Sequence, residues 1–455
     1  MKKILFTFAF LLVSIASSAY DAKIDGIYYD LVPKAKVAIV TEGDIKYEGD
    51  ISIPSTFEYE GVEYTVTEIT GKAFYYSTNL RSLTIPNSVK TIGRQAFFCC
   101  ENLRKLVLPD ELEELPSSMC SMCHQLTEIH LPNCLRTISA HAFYECVSLA
   151  SISLSEDLVE IGGNAFRDCI SLTSTVIPDH VSILGAGAFR GCTNLTSIRL
   201  PKNLSNVPNC CFTNCSKLSE IILPYGIDAI GDDAFSGCES LTQLTIPDNV
   251  RSIGKRAFER CGFTTFEFPS GNIQVGYGLF LGCSQLKGVV SWPFPELYGE
   301  TFKDCTALEE FVIPEGVREI GSTAFEGCTS LTTVSLPSSL NYIDYYVFKD
   351  CKNLTDVYCY CEELPRISPW DDIFSGSYIE YSTLHVPASS IESYRSTFPW
   401  SEFGTIVDIE STGIETVTSD KSQVTSESWY TLNGIRVAQP RKGVYIQNGK
   451  KYVVR

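Results

Sequence analysis

The stretch AFEGCTSLTTVSLP, Ala324–Pro337, decides how this chain folds, because it recurs. An apolar residue followed by proline returns at Pro86, Pro109, Pro132, Pro178, Pro201, Pro224, Pro247, Pro269, Pro293, Pro314 and Pro337, mostly in steps of 23, with Ser155 in the one skipped place. Phenylalanine keeps the same beat at Phe74, Phe97, Phe143, Phe166, Phe189, Phe212, Phe235, Phe258, Phe280, Phe302, Phe325 and Phe348, and Cys120 fills the one gap. The unit reads x-I-G-x-x-A-F-x-x-C-x-x-L-T-x-I-x-L-P-x-x-L-x. Twelve well-formed copies run from about residue 80 to 356, with a degenerate copy at each end. A period of this size marks a repeat architecture. One unit cannot bury its own Ile, Leu and Phe, so successive units must stack.

Physical chemistry gives each part of the unit a place. Leu331, Val334 and Leu336 end in strand alternation, so equivalent strands of neighbouring coils pair in parallel about 4.8 Å apart. Pro337 ends the strand, because proline has no N–H for the ladder. Ile320-Gly321 turns the chain, and Ala324-Phe325 sends a small and a large side chain inward. The expected fold is an α/β repeat solenoid of 23-residue coils, part strand and part short helix or turn, with one parallel β-sheet.

At this point the residues resemble a known family. The unit IGxxAFxxCxxLTxIxLP is similar to the BspA-like, or Treponema pallidum-type, leucine-rich repeat, over roughly residues 65 to 390. The resemblance implies a right-handed leucine-rich-repeat coil. It also implies a secreted or surface protein of a host-associated microbe, some relatives being adhesins for host proteins.

The ends differ in composition. Lys2 and Lys3 precede an apolar run, Ile4 to Ile15, and then small residues ending at Ala19. This is the pattern of an export signal, residues 1–19, too short to span a bilayer comfortably. Its short charged start looks bacterial, so the expected location is secreted or the outer surface of a bacterium. No later stretch is apolar and long enough for a transmembrane helix. Residues 20–68 alternate apolar and polar, as in IDGIYYDL and YTVTEI, and are expected to form a small β N-cap that covers the first coil. The solenoid with its C-terminal cap is placed at 69–404, where Ile391, Tyr394, Phe398 and Phe403 suit a short closing helix or turn. A Ser/Thr-rich linker follows at 405–428. Residues 429–455 form a short β-rich C-terminal module with hairpin signals at Asn433-Gly434 and Asn448-Gly449. This module resembles the end of a type IX secretion sorting domain. A small β-module without a sorting role is the alternative.

The chain has 455 residues, 44% of them hydrophobic, and a net charge of −18. That charge argues against nucleic acid, which needs clustered Lys and Arg, and against anionic lipid. Nineteen cysteines need an account. Twelve of them, Cys100, Cys123, Cys146, Cys169, Cys192, Cys215, Cys238, Cys261, Cys283, Cys305, Cys328 and Cys351, follow the phenylalanine slot by three residues. A metal array or a disulfide chain competes with a core ladder of one small side chain per coil, with S–H donated to a carbonyl. The ladder is the reading favoured here, because stacked Cβ vectors are parallel and ill-directed for S–S bonds. The CxxC at Cys120 and Cys123 falls on the beat and has no second CxxC, so zinc is not expected. The five histidines, His124, His130, His141, His180 and His385, show no metal spacing, although any could meet a carboxylate in the fold. No G-x-S-x-G, H-E-x-x-H or phosphate loop occurs. No enzyme activity, cofactor or metal is expected.

Binding is therefore sought on the surface. The strand positions flanking the inward Ile point outward, among them Arg199, Glu220, Thr333, Ser335, Asp356 and Tyr358. The repeat is most broken between Gly262 and Thr301, where Phe266, Phe268, Tyr277, Trp292, Phe294 and Tyr298 accumulate. Broken local rules mark functional sites, and aromatic residues are enriched in binding hot spots. The competing account is that these rings refill a core that lost its leucines. WDDIF, with Trp370, Asp371 and Asp372, is a second off-beat place. The candidate binding residues are Tyr277, Trp292, Phe294, Tyr298, Arg199, Glu220 and Tyr358. The expected function is a surface or secreted binding protein, adhesin-like and monomeric, whose partner is a host or neighbouring-cell protein such as extracellular matrix. A glycan-binding accessory protein is the alternative.

Overall fold

The computed structural model describes residues 20–409 except 270, 271, 291 and 369–371, together with the backbone of short strands between 415 and 454. Residues 1–19, read above as an export signal, both Asn-Gly dipeptides, Trp370 and Asp371 lie outside the described residues.

The repeating coil is a parallel β-solenoid. In the unit quoted above, Thr333–Leu336 is the longer strand, and it pairs in parallel with Glu310–Val312 on one side and Asp356–Cys359 on the other. Thr383–Val386 and Thr405–Asp408 extend the same sheet. A second, two-residue strand stands where the sequence suggested only a turn. Glu296–Leu297, Glu319–Ile320, Tyr342–Ile343 and Arg366–Ile367 pair in parallel, one coil to the next. The Ile-Gly step thus contributes a ladder of its own, with Leu297, Ile320 and Ile343 buried and their preceding residues outward. The longer strands are also not one continuous sheet. They form parallel segments that stop at Glu128–His130, at Glu220–Ile222 and at Gly288–Val289 before resuming in a later coil.

Among the described residues no helix forms within the repeat, and the backbone shows why. Each coil carries a left-handed residue just before the Ala-Phe pair and another just before the ladder cysteine, as at Thr323 (φ 55°) and Gly327 (φ 74°). Such residues interrupt right-handed helix, so the segment between them stays a series of tight turns. Those turns are locked to the next coil instead. Phe302 N–H donates to the Ala324 carbonyl and Phe325 N–H to the Val347 carbonyl, both at 2.8 Å.

Inside, phenylalanines stack from coil to coil. From Phe143 to Phe374 consecutive rings lie 5.3–6.1 Å apart with interplanar angles of 10–22°. Cys120 interrupts the ring stack between Phe97 and Phe143, and it is fully buried. All twelve ladder thiols donate to a carbonyl of the preceding coil, at the phenylalanine slot. Cys328 Sγ lies 3.1 Å from the Phe302 oxygen and Cys351 Sγ 3.1 Å from that of Phe325. Cys146, lacking a phenylalanine there, uses the Cys120 carbonyl at 3.1 Å. The same phenylalanine oxygen also accepts the N–H of its own coil's cysteine, 3.1 Å for Phe325 and Cys328. One small side chain therefore satisfies the second lone pair of a buried carbonyl. Burial pushes the Cys328 and Cys351 thiols up, and that of Cys283 to about 12, which keeps them protonated donors and poor nucleophiles.

At the N-terminal end, Ala22–Ile24, Ile27–Val32, Val37–Val40, Thr56–Tyr59 and Val62–Ile69 form a mixed sheet, whose last strand pairs in parallel with Thr91–Ile92, while Gly49–Ser52 pairs with Leu80–Thr84 and starts the longer-strand ladder. At the other end, helix Ile391–Arg395 and the buried Tyr394, Trp400 and Phe403 close the core, while Phe398 is exposed. The strands Gly443–Gln447 and Lys450–Val454 pair antiparallel, as do Trp429–Thr431 and Arg436–Val437.

All nineteen cysteines are free, and only Cys134 and Cys210 are partly exposed. Maleimide labelling of the native protein, read by mass spectrometry, is expected to modify these two and leave the rest until denaturant is added. Adding a reductant is expected to leave the melting temperature within about 2 °C. A large fall would show that disulfides hold the coils together.

Candidate functional site

The seven candidate residues separate into three groups. Trp292 and Phe294 are core, only 7% and 6% exposed. Trp292 occupies the leucine slot before Pro293. Its ring packs edge-on against Phe268 at 5.6 Å and Phe294 at 5.0 Å, and its indole N–H donates to the Glu296 carbonyl at 3.0 Å. Phe263, Phe266 and Phe268 likewise stand in the slots of Leu331, Val334 and Leu336 and are buried. These rings refill the core of a shortened coil, and Trp292 and Phe294 present no surface to a ligand.

The second group lies on the longer-strand face. Arg199 is exposed and paired with Asp179 at 2.9 Å, and Glu220 stands exposed on the adjoining strand. Tyr358 is half-buried, its ring stacked on His385 at 4.2 Å. His385 is itself buried, with Nε2 2.9 Å from Asp356 Oδ1, a carboxylate–imidazole pair that only the fold brings together. Thr333 and Ser335, read from alternation as outward, are buried. They are small residues on a central strand, flanked by Glu310 and Asp356 and by Val312 and Tyr358, and these larger neighbours close over them.

The third group forms a cleft. Tyr277 (42% exposed) and the half-buried Tyr298 line a depression of about 380 Å³ on the short-strand side, together with Tyr342, Glu296, Glu300, Glu319 and Asp344. Strand alternation builds one wall: Leu297, Ile320 and Ile343 face the core, so Glu296, Glu319 and Tyr342 face out. Part of the floor is bare backbone. A Cβ on Gly321 would come within 2.5 Å of the Gly299 nitrogen, so glycine is required for the coils to approach this closely. Tyr298 stands where the flanking coils carry Gly276 and Gly321, and its ring enters the cleft instead.

Glu300, which also lines the cleft, belongs to an ion pair that spans two coils. Arg256 Nη2 reaches Glu300 Oε2 at 2.8 Å over the intervening Gly278. Gly278 is left-handed (φ 66°), and a Cβ there would lie 2.9 Å from Arg256 Cγ. The hydrogen bond to Glu300 holds the Arg256 guanidinium above its ordinary pKa. Arg256 and Lys255 also stand over the Tyr277 ring at 5.5 and 5.4 Å. Burial, with Glu296 adding to it, raises the Tyr298 phenol. Tyr342 O–H and Tyr345 N–H both donate to Asp344 Oδ1, at 3.3 and 2.9 Å. The arrangement offers aromatic faces and carboxylates from four successive coils. Among the described residues no group of three or more His, Cys, Asp or Glu could hold a metal, and no helix is long and apolar enough to cross a membrane.

Stacked coils with two parallel ladders and one phenylalanine–cysteine rung each define a leucine-rich-repeat solenoid. The chain belongs to the BspA-type leucine-rich-repeat family: residues 55–173, 159–287 and 295–401 match the BspA type leucine rich repeat region. A leucine-rich repeat protein from Bacteroides ovatus is similar in structure, with a TM-score of 0.66 and 25% identity over 86% of this chain and 100% of that one. A leucine rich cell surface protein from Faecalibacterium prausnitzii gives 0.49 and 23%, over 76% of this chain and 96% of that one. The T. pallidum leucine-rich repeat protein gives 0.33 and 28%, over 57% and 87%. No curated protein matches the chain.

Sequence reasoning found Tyr277 and Tyr298 through the broken repeat but missed Glu296, Glu319, Tyr342 and Asp344. The usable signal was the row of residues preceding the Ile of each Ile-Gly step, which holds two adjacent acids only here. Trp292→Ala is expected to cost about 3–5 kcal/mol of stability by opening a core cavity. Tyr277→Ala is expected to change the denaturation midpoint little, because its ring is on the surface. Chemical denaturation of the two variants checks both.

Proposed function

We propose that this protein is a non-enzymatic binding protein, secreted or held at the bacterial surface, that recognises a host or neighbouring-cell protein in the manner of an adhesin. The observation that carries this reading is the cleft of Tyr277, Tyr298 and Tyr342 beside Glu296 and Glu319. Tyrosine supplies a large contact area at low conformational cost, and a stack of coils holds its side chains without reorganisation on binding. Family membership and the leader-like residues 1–19 support the location. The exposed Arg199 and Glu220 lie on the other ladder's face and would extend the contact surface for a large partner.

The test is capture of soluble partners from a panel of extracellular-matrix proteins on the immobilised chain. Tyr277→Ala/Tyr342→Ala is expected to weaken the captured complex at least about tenfold, roughly 1.4 kcal/mol, with an unchanged melting temperature. Capture that is indifferent to the pair would remove the cleft from the reading. Capture of neutral oligosaccharides in place of proteins would favour the glycan alternative.

A further inference from the structure

The charge around the cleft tells what kind of group it takes. Several acids of this fold meet a base on a neighbouring coil. Lys105 pairs with Glu128 at 3.2 Å, Arg81 with Asp50 at 2.8 Å, and Glu326 with both Lys303 and Lys349 at 2.7 and 3.1 Å. In the short-strand row acids are kept apart, as in Glu114, Thr137, Glu160. The cleft breaks both habits. Glu296 and Glu319 are direct partners on adjacent parallel strands and face the same side. Like charges placed so are destabilising, and neither has a cation within ion-pair distance among the described residues. Asp344 adds a third carboxylate, satisfied only by a tyrosine hydroxyl and a backbone N–H.

Three tyrosines line the same volume. Aromatic faces attract cations, and Tyr277 already holds Lys255 and Arg256 over its ring. A bare metal ion would make poor use of these rings. Acidic glycans and phosphates would be repelled by the carboxylates. A long side chain with an apolar stem and a positive head fits the tyrosine rings and the carboxylates of Glu296 and Glu319, which have no ion-pair partner among the described residues.

We propose that the cleft receives a lysine or arginine side chain of the partner protein, with Glu296 and Glu319 accepting its charge and the tyrosine rings flanking its stem. The proposal rests on the protein-binding reading above and narrows it to one recognised chemistry. It makes binding salt-sensitive, because part of the attraction is between exposed charges.

The experiment uses the full chain carrying meta-fluorotyrosine, with Tyr277 and Tyr342 assigned through Tyr→Phe variants and followed by fluorine NMR. The probes are acetyl-Gly-Gly-Xaa-Gly-Gly-amide peptides with arginine, lysine or citrulline at the centre. The arginine and lysine peptides are expected to shift these resonances, and citrulline to bind at least about tenfold more weakly. E296Q/E319Q should weaken the arginine peptide by a similar factor. E362Q/E363Q, which removes the same charge at exposed acids elsewhere, should not. Equal binding of citrulline, or equal loss in both double variants, overturns the proposal. So does a neutral malto-oligosaccharide whose binding survives E296Q/E319Q. The two readings fail differently. Matrix-protein capture lost in Tyr277→Ala/Tyr342→Ala but intact in E296Q/E319Q sinks the cation and keeps the partner. Capture intact in both sinks the protein-binding reading at the cleft itself.

Discussion

Everything in this molecule depends on one coil meeting the next in register. A single coil has few contacts of its own and leaves its phenylalanine half-covered. The ring of the next coil, 5.3–6.1 Å away through most of the solenoid, completes its burial. The backbone is tied the same way, since the phenylalanine N–H finds its carbonyl in the following coil and its C=O is met by the following coil's thiol. Apolar packing and hydrogen bonding therefore enforce the same step. Stability then accrues from nearest-neighbour contacts, as in other solenoids.

The same constraint explains what could be read beforehand. Period, inward Phe, Cys and Leu, and the strand before proline all follow from residue types repeated at fixed spacing. The cysteine ladder was legible because a thiol recurring at one slot in every coil has one environment, and a core environment accounts for all twelve copies. What escaped was what varies between coils. Alternation says Ser335 points away from the core. Only the neighbouring Val312 and Tyr358 make that position buried. Trp292 and Tyr277 look equally aberrant in the sequence. The first fills a leucine slot and the second follows the Gly of an Ile-Gly step, and this difference of slot separates core from surface. The two-residue strands were hidden because one residue pair is too short to show alternation.

The cleft shows how a repeat acquires individuality without losing its core. Its wall residues lie outside the buried slots, so Glu296, Glu319 and Tyr342 change the surface while Leu297, Ile320 and Ile343 keep the packing. Gly278, between Arg256 and Glu300, has no side chain to stand in the way and so lets an ion pair span its coil. In the shortened coils around residues 262–301, Tyr298 stands where the flanking coils have glycine. The core pays for this departure with extra aromatic rings, and the surface gains a recess from it.

The buried thiols carry a consequence for how the chain comes to be folded. An extended chain exposes all nineteen, and any oxidant present at that stage can couple neighbours that the finished coils would keep apart. Each coil that docks encloses one ladder thiol against a carbonyl of the preceding coil, out of reach of solvent. Stacking and crosslinking therefore compete for each thiol until the coil that encloses it is in place.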